Sequence, residues 1–147
     1  MTLKITQSHL EELRRHGEET YPEECCDVLV GDRFAGCRTV VEVIRCANAS
    51  QYSRQNHYQI APDELVRIQS QTRLVGHEIV GFHHSHPDQP ARWSSTDIKG
   101  AFWTGCSYLI TSVGQGRANE TASFELHCTK ELQRFENEDI EVLVSYD

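Results

Sequence analysis

The sequence predicts an α/β fold: a three-layer sandwich with a mixed central β-sheet flanked by helices. Three observations carry that expectation. Six or seven apolar or alternating runs read as strands, three segments with helical periodicity fall between them in mixed order, and 147 residues make about one domain's worth of chain. A single domain over residues 1–147 is therefore expected. At this length about 68–70% of the unfolded surface can be buried, so a hydrophobic core needs no staples.

Residues 3–5 form a first short strand. The stretch SHLEELRRHGEETYPEE then places Ser8 as an N-cap with Glu11 three residues later, a capping box, and puts Leu10 and Leu13 on one helix face. Pro22 ends that helix. ECCDVLVG is a short apolar run closed by Gly31, which sets Glu24 at the entry of a buried strand. GCRTVVEVIRCAN alternates as a second long strand, NASQYSRQN is its exit loop, and HYQIAP resumes extended structure.

PDELVRIQSQTRLVG begins with Pro62 and two acids in its first turn and carries Leu65, Ile68 and Thr72 on one face, which makes a second helix ending at Gly76. HEIVGFHHSH reads as a strand running into a proline-containing loop. SSTDIKGAFW is a short third helix beginning at Ser94. CSYLITSV and ASFELHC are two further strands divided by the turn-rich GQGRANE, and DIEVLVS is the last.

Composition narrows the function classes. A net charge of −8 argues against a general nucleic-acid binder, because phosphate contacts need clustered Lys and Arg. No apolar run approaches the ~18–20 residues needed to span a bilayer, so no membrane role is expected. The six cysteines form no C-x-x-C pair and follow no secretory signal, which fits a reducing, cytoplasmic compartment.

Chemistry concentrates in GFHHSHPDQPARWSSTD, residues 81–97, which holds three of the eight histidines. Alternate side chains of a strand share a face, so His84 and His86 project together with Cα atoms ~6.5–7 Å apart, while His83 points the other way. After Pro87, six residues lead to a helix start whose first turn carries Asp97. Two imidazoles and one carboxylate with a fourth position open match a catalytic zinc site, whereas a structural site would use four protein ligands, usually with Cys. Water bound there would ionise near pH ~7, and amide attack would still need a neighbouring Glu or Asp to collect its proton. An exposed Ser94 hydroxyl beside the metal can donate to an oxyanion. Each feature also has a plainer reading: a chance H-x-H, a Ser94–Asp97 helix cap, a solvated Glu23–Glu24 pair. Only their combination favours chemistry.

H-S-H-P, six residues, then S-x-x-D resembles the signature of the JAMM metallopeptidases, the catalytically competent JAB/MPN-domain proteins, with Y-P-E-E-C-C-D-V-L-V-G as the upstream glutamate segment. The segment NASQYSRQNHYQIAPDEL is similar to the compact bacterial members, so the likeness covers most of the chain. It implies a JAB/MPN fold of the cytidine-deaminase-like kind. It further implies that His84, His86 and Asp97 bind one catalytic zinc ion, that Glu24 is general base and then acid, and that Ser94 steadies the oxyanion. Asp27 stands where the family usually has Gly, and His83 where it commonly has Tyr.

The resemblance implies hydrolysis of a peptide or isopeptide bond after the Gly-Gly tail of a ubiquitin-like protein, that tail lying as an added strand on the sheet. A sulfur carrier protein is the leading substrate class. Two alternatives remain open here: deubiquitinase-like activity on another β-grasp protein, and a non-catalytic MPN scaffold. Deaminase chemistry would need H-x-E and P-C-x-x-C, and a thermolysin-like site would need H-E-x-x-H on a helix; none of these occurs. Cys25 and Cys26 read as buried small hydrophobes rather than nucleophiles.

Overall fold

The protein is described by a computed structural model at residues 1–128 and 132–144. Its elements run β1 (Thr2–Thr6), α1 (Gln7–Thr20), β2 (Cys26–Phe34), β3 (Cys37–Cys46), α2 (Pro62–Leu74), β4 (Glu78–Pro87), α3 (Ser95–Lys99), β5 (Ser107–Gly114), β6 (Arg117–Cys128) and β7 (Gln133–Leu143).

The seven strands form a closed barrel in the order β1-β3-β2-β4-β5-β6-β7, which corrects the expected helix-flanked three-layer sandwich. Closure comes from β1. It runs parallel to β3 from Thr2↔Cys37 to Lys4↔Thr39 and parallel to β7 from Thr2↔Asp139 to Thr6↔Leu143, joining the two edges an open sheet would leave. Register shifts between Leu29 and Val30, Val30 and Gly31, and Thr111 and Val113 add the local twist a closing sheet requires. At Gly31 a Cβ would fall on the Thr39 carbonyl, so the sharpest of these needs glycine.

Alternation along the strands gives the barrel two apolar surfaces. One gathers Leu3, Ile5, Leu29, Val40, Val80 and Leu109 with Leu10 and Leu13 of α1. Because α1 contacts β1 and β3 through β7, it lies against the concave side of the barrel. The same inward face carries a buried ion network, in which Arg38 of β3 donates to Glu125 of β6 (2.9 Å) and Glu138 of β7 (2.6 Å), and Glu138 also accepts from Ser107 and Ser123. Four strands are thereby tied across the interior. The outward surface includes Cys26, Val28, Phe82, Ile110 and Phe124, covered by Ile60, by Ile68 of α2 and by Ala101 after α3.

Several element boundaries differ from expectation. Helix α1 starts two residues earlier than the Ser8 capping box implies: Thr6 is the N-cap and accepts from the His9 amide. Strand β2 runs through Gly31 rather than stopping there. HYQIAP enters no strand, and the expected helix after Ser94 ends at Lys99. The turn before β6 narrows to Gln115 and Gly116, both at positive φ, with β6 beginning at Arg117. Of the last expected strand, DIEVLVS, Ser145 lies outside the described residues. No described helix is long and apolar enough to cross a membrane.

Candidate metal centre

Strand β4 presents His84 and His86 outward, on the face that carries Phe82, and α3 returns Asp97 to them. The His84 and His86 Nε2 atoms lie 3.0 Å apart, and the Asp97 carboxylate oxygens lie 3.1 Å from His84 Nε2 and 3.0 Å from His86 Nε2. Ligand atoms at ~2.0–2.1 Å from a tetrahedral zinc ion would be separated by about 3.3 Å, so this donor set fits such an ion. The His86 Nδ1–H donates to the Pro90 carbonyl at 2.9 Å, which leaves Nε2 as the metal-facing lone pair. His84 stacks on Tyr58, with ring centroids 4.4 Å apart.

Asp97 is also the third helical residue of a complete capping box. Ser94 Oγ accepts from the Asp97 amide at 3.1 Å, and the Ser94 amide donates to Asp97 Oδ2 at 2.8 Å. The cap and the ligand role coexist, because the carboxylate has oxygens enough for both. Ser94 Oγ uses a lone pair in the cap, so its hydroxyl proton stays free to donate toward the exposed side. Burial raises the Asp97 pKa, but the His84 and His86 imidazoles beside it outweigh that and hold the carboxyl well below the usual range.

Glu24 precedes β2 with the parity of Cys26, so it faces the same side as His84 and His86. It is only 3% exposed, and its Oε1 has no hydrogen-bond partner among the described residues, whereas Glu23 is exposed. Burial pushes its carboxyl up to about 8, with His86 drawing it down and Asp97 raising it. A buried carboxyl oxygen that no described residue bonds is costly to keep and stays free to bond a molecule entering the site.

Two hollows meet at this point. One, of about 420 Å³, is apolar and reaches Asp97 past Tyr58, Leu65, Phe82, Trp103 and Tyr108. The other, of about 600 Å³, is polar and holds Glu24, His86, Asn56, Arg92 and Ser94. His57 and Thr96 border both. The expected site residues Glu24, His84, His86, Ser94 and Asp97 are thus brought to one place. Sequence reading missed Tyr58, which sat in a segment read only as extended; its aromatic ring among polar neighbours was the available signal.

His83 takes the opposite face. Its Nδ1 bonds Asp27 Oδ1 at 2.8 Å, its Nε2 meets Thr111 Oγ1 at 2.8 Å, and His16 Nδ1 from α1 bonds Asp27 Oδ2 at 2.7 Å. Cys25 lies beside them, its Sγ 3.8 Å from Asp27 Oδ1. His16, Cys25 and Asp27 have metal-ligand composition, yet both Asp27 oxygens are already taken and burial pushes the Cys25 thiol far up, so it stays protonated. This cluster is a hydrogen-bonded core.

The model of the prokaryotic homologs of the JAB domain matches residues 6–127, and the chain belongs to that family. A desampylase of Haloferax volcanii is 40% identical over 91 residues, which is 62% of this chain and 63% of that relative's length. Among solved structures, a protein of Desulfitobacterium hafniense superposes with a TM-score of 0.81 at 30% identity, covering 97% of this chain and 94% of that one. A protein of Salinibacter ruber gives a TM-score of 0.71 at 33% identity, over 93% and 89% of the two chains.

Proposed function

We propose that this protein is a zinc-dependent peptidase or isopeptidase that cuts after the C-terminal Gly-Gly tail of a ubiquitin-like protein, a sulfur carrier protein being the leading class. The observation that carries the reading is the convergence of His84 Nε2, His86 Nε2 and the two Asp97 carboxylate oxygens at 3.0–3.1 Å, beside a buried Glu24 whose Oε1 has no partner among the described residues. Membership of the JAB family and the likeness to a desampylase support the substrate class.

A zinc ion held by His84, His86 and Asp97 would polarise the scissile carbonyl and lower the pKa of a water. Glu24 takes the proton of the attacking water and then delivers it to the leaving amine. Burial raises its pKa in the metal-free protein, and a zinc ion beside it would draw it back toward the range where a carboxyl both accepts and donates. The Ser94 hydroxyl donates to the oxyanion of the tetrahedral intermediate. The tail runs through the two hollows that meet at the metal site. A reducing, cytoplasmic compartment belongs to the same reading, with all six cysteines unpaired.

The test is Glu24→Gln against a Gly-Gly-tailed ubiquitin-like fusion. The variant keeps zinc and loses about 10²–10⁴ of turnover. Near-normal turnover in that variant would refute the role given to Glu24.

A further inference from the structure

We propose that Asn48 is a positioning residue, which joins the Glu24 peptide to the segment 48–59 that borders the site, so that segment and base move as one unit. The inference rests on Glu24 being the proton-transfer group.

Glu24 lies two residues before β2 and so receives no ladder hydrogen bonds of its own. Its C-terminal neighbour is pinned to β4, where the Cys25 amide donates to Ser85 Oγ at 2.8 Å and the Ser85 amide donates to the Cys25 carbonyl at 3.2 Å. Both backbone groups of Glu24 itself go to the segment after β3. Its N–H donates to the Arg54 carbonyl at 2.7 Å, and its carbonyl accepts from Asn48 Nδ2 at 3.2 Å.

The Asn48 amide is fully used. Nδ2 donates a second time, to the His57 carbonyl at 2.9 Å, while Oδ1 accepts from the amides of Ser50 (3.1 Å) and Gln59 (3.2 Å). Two carbonyls at one end and two N–H groups at the other fix which end of the amide is oxygen. Asn alone supplies two donors and two acceptors at this reach, since Asp has no donor and Ser is too short. The closed segment carries Tyr58, stacked on His84, and His57, which borders both hollows. One side chain therefore links the base, a ligand's covering ring and the walls of the substrate path.

The experiment measures kcat, KM, zinc stoichiometry and Tm for Asn48→Ala and Asn48→Asp on a Gly-Gly-tailed fusion. Asn48→Asp keeps the shape and the two accepted bonds, which keeps the test falsifiable if alanine fails to fold, but it turns lone pairs toward the Glu24 and His57 carbonyls. Both variants are expected to bind one zinc ion and to lose about ten- to a hundred-fold in kcat, with a far smaller change in KM. Ile68→Val, a core change on α2, is the stability control, expected to lower Tm without changing kcat. Asn48 variants that lose Tm but hold kcat within the control's range would overturn the proposal, as would loss of zinc. Glu24→Gln, run in parallel, separates the two claims: turnover retained there overturns the proton-transfer role first.

Discussion

Two histidine–carboxylate clusters sit back to back across β4, and they differ in one decisive respect. On the outward face, His84, His86 and Asp97 point their ligand atoms at one another beside two hollows and an unpartnered Glu24 oxygen. On the inward face, Asp27 divides its two oxygens between His16 and His83, and His83 passes on to Thr111, which meets Thr121 at 2.8 Å. The residue types are nearly the same. What separates a candidate reactive centre from a structural core is whether the cluster is sealed inside the barrel or opens on two hollows beside a buried carboxyl oxygen that no described residue bonds.

The comparison is most easily broken at Asp27, which is fully buried. Burial raises its pKa, but hydrogen bonds from His16 and His83 prevail and hold it low. Asp27→Ala strands two buried histidines and should cost about 3–5 kcal/mol of stability in urea unfolding, while zinc stoichiometry stays at one. A variant that kept its stability but lost its metal would reverse the roles of the two clusters.

A smaller effect is expected at Glu24. Its folded pKa, about 8, lies above the unfolded value of 4.5, so the ionised form is disfavoured in the folded state. For this raised acid, stability is full below pH 4.5 and falls as pH rises toward 8. In metal-stripped protein Glu24→Gln removes that penalty, so the variant should match wild type near pH 4.5 and exceed it at pH 8 by up to about 4 kcal/mol. Equal stability at both pH values would show that the Glu24 carboxylate is not strained by its surroundings.

Much of the candidate site was legible because it depends on short-range geometry. Strand alternation puts His84 and His86 together and His83 apart, and Ser94 with Asp97 reads as a cap three residues long. The fold was less legible. The β1–β7 pairing joins residues more than 130 positions apart in sequence, and no local pattern distinguishes a strand that closes a barrel from one that ends a sheet. Arg38 and Glu138 look like ordinary polar members of alternating strands, yet together they line the barrel interior. Asp27 and His83 each break the apolar pattern of a buried strand, and only their pairing across β2 and β4 explains both.

The most direct test is calorimetric titration of zinc into metal-stripped wild-type protein, His86→Ala and His83→Ala. One ion bound by wild type, none by His86→Ala and one by His83→Ala is the predicted result. Binding that survives His86→Ala and vanishes with His83→Ala would contradict the account, placing the metal in the inward cluster.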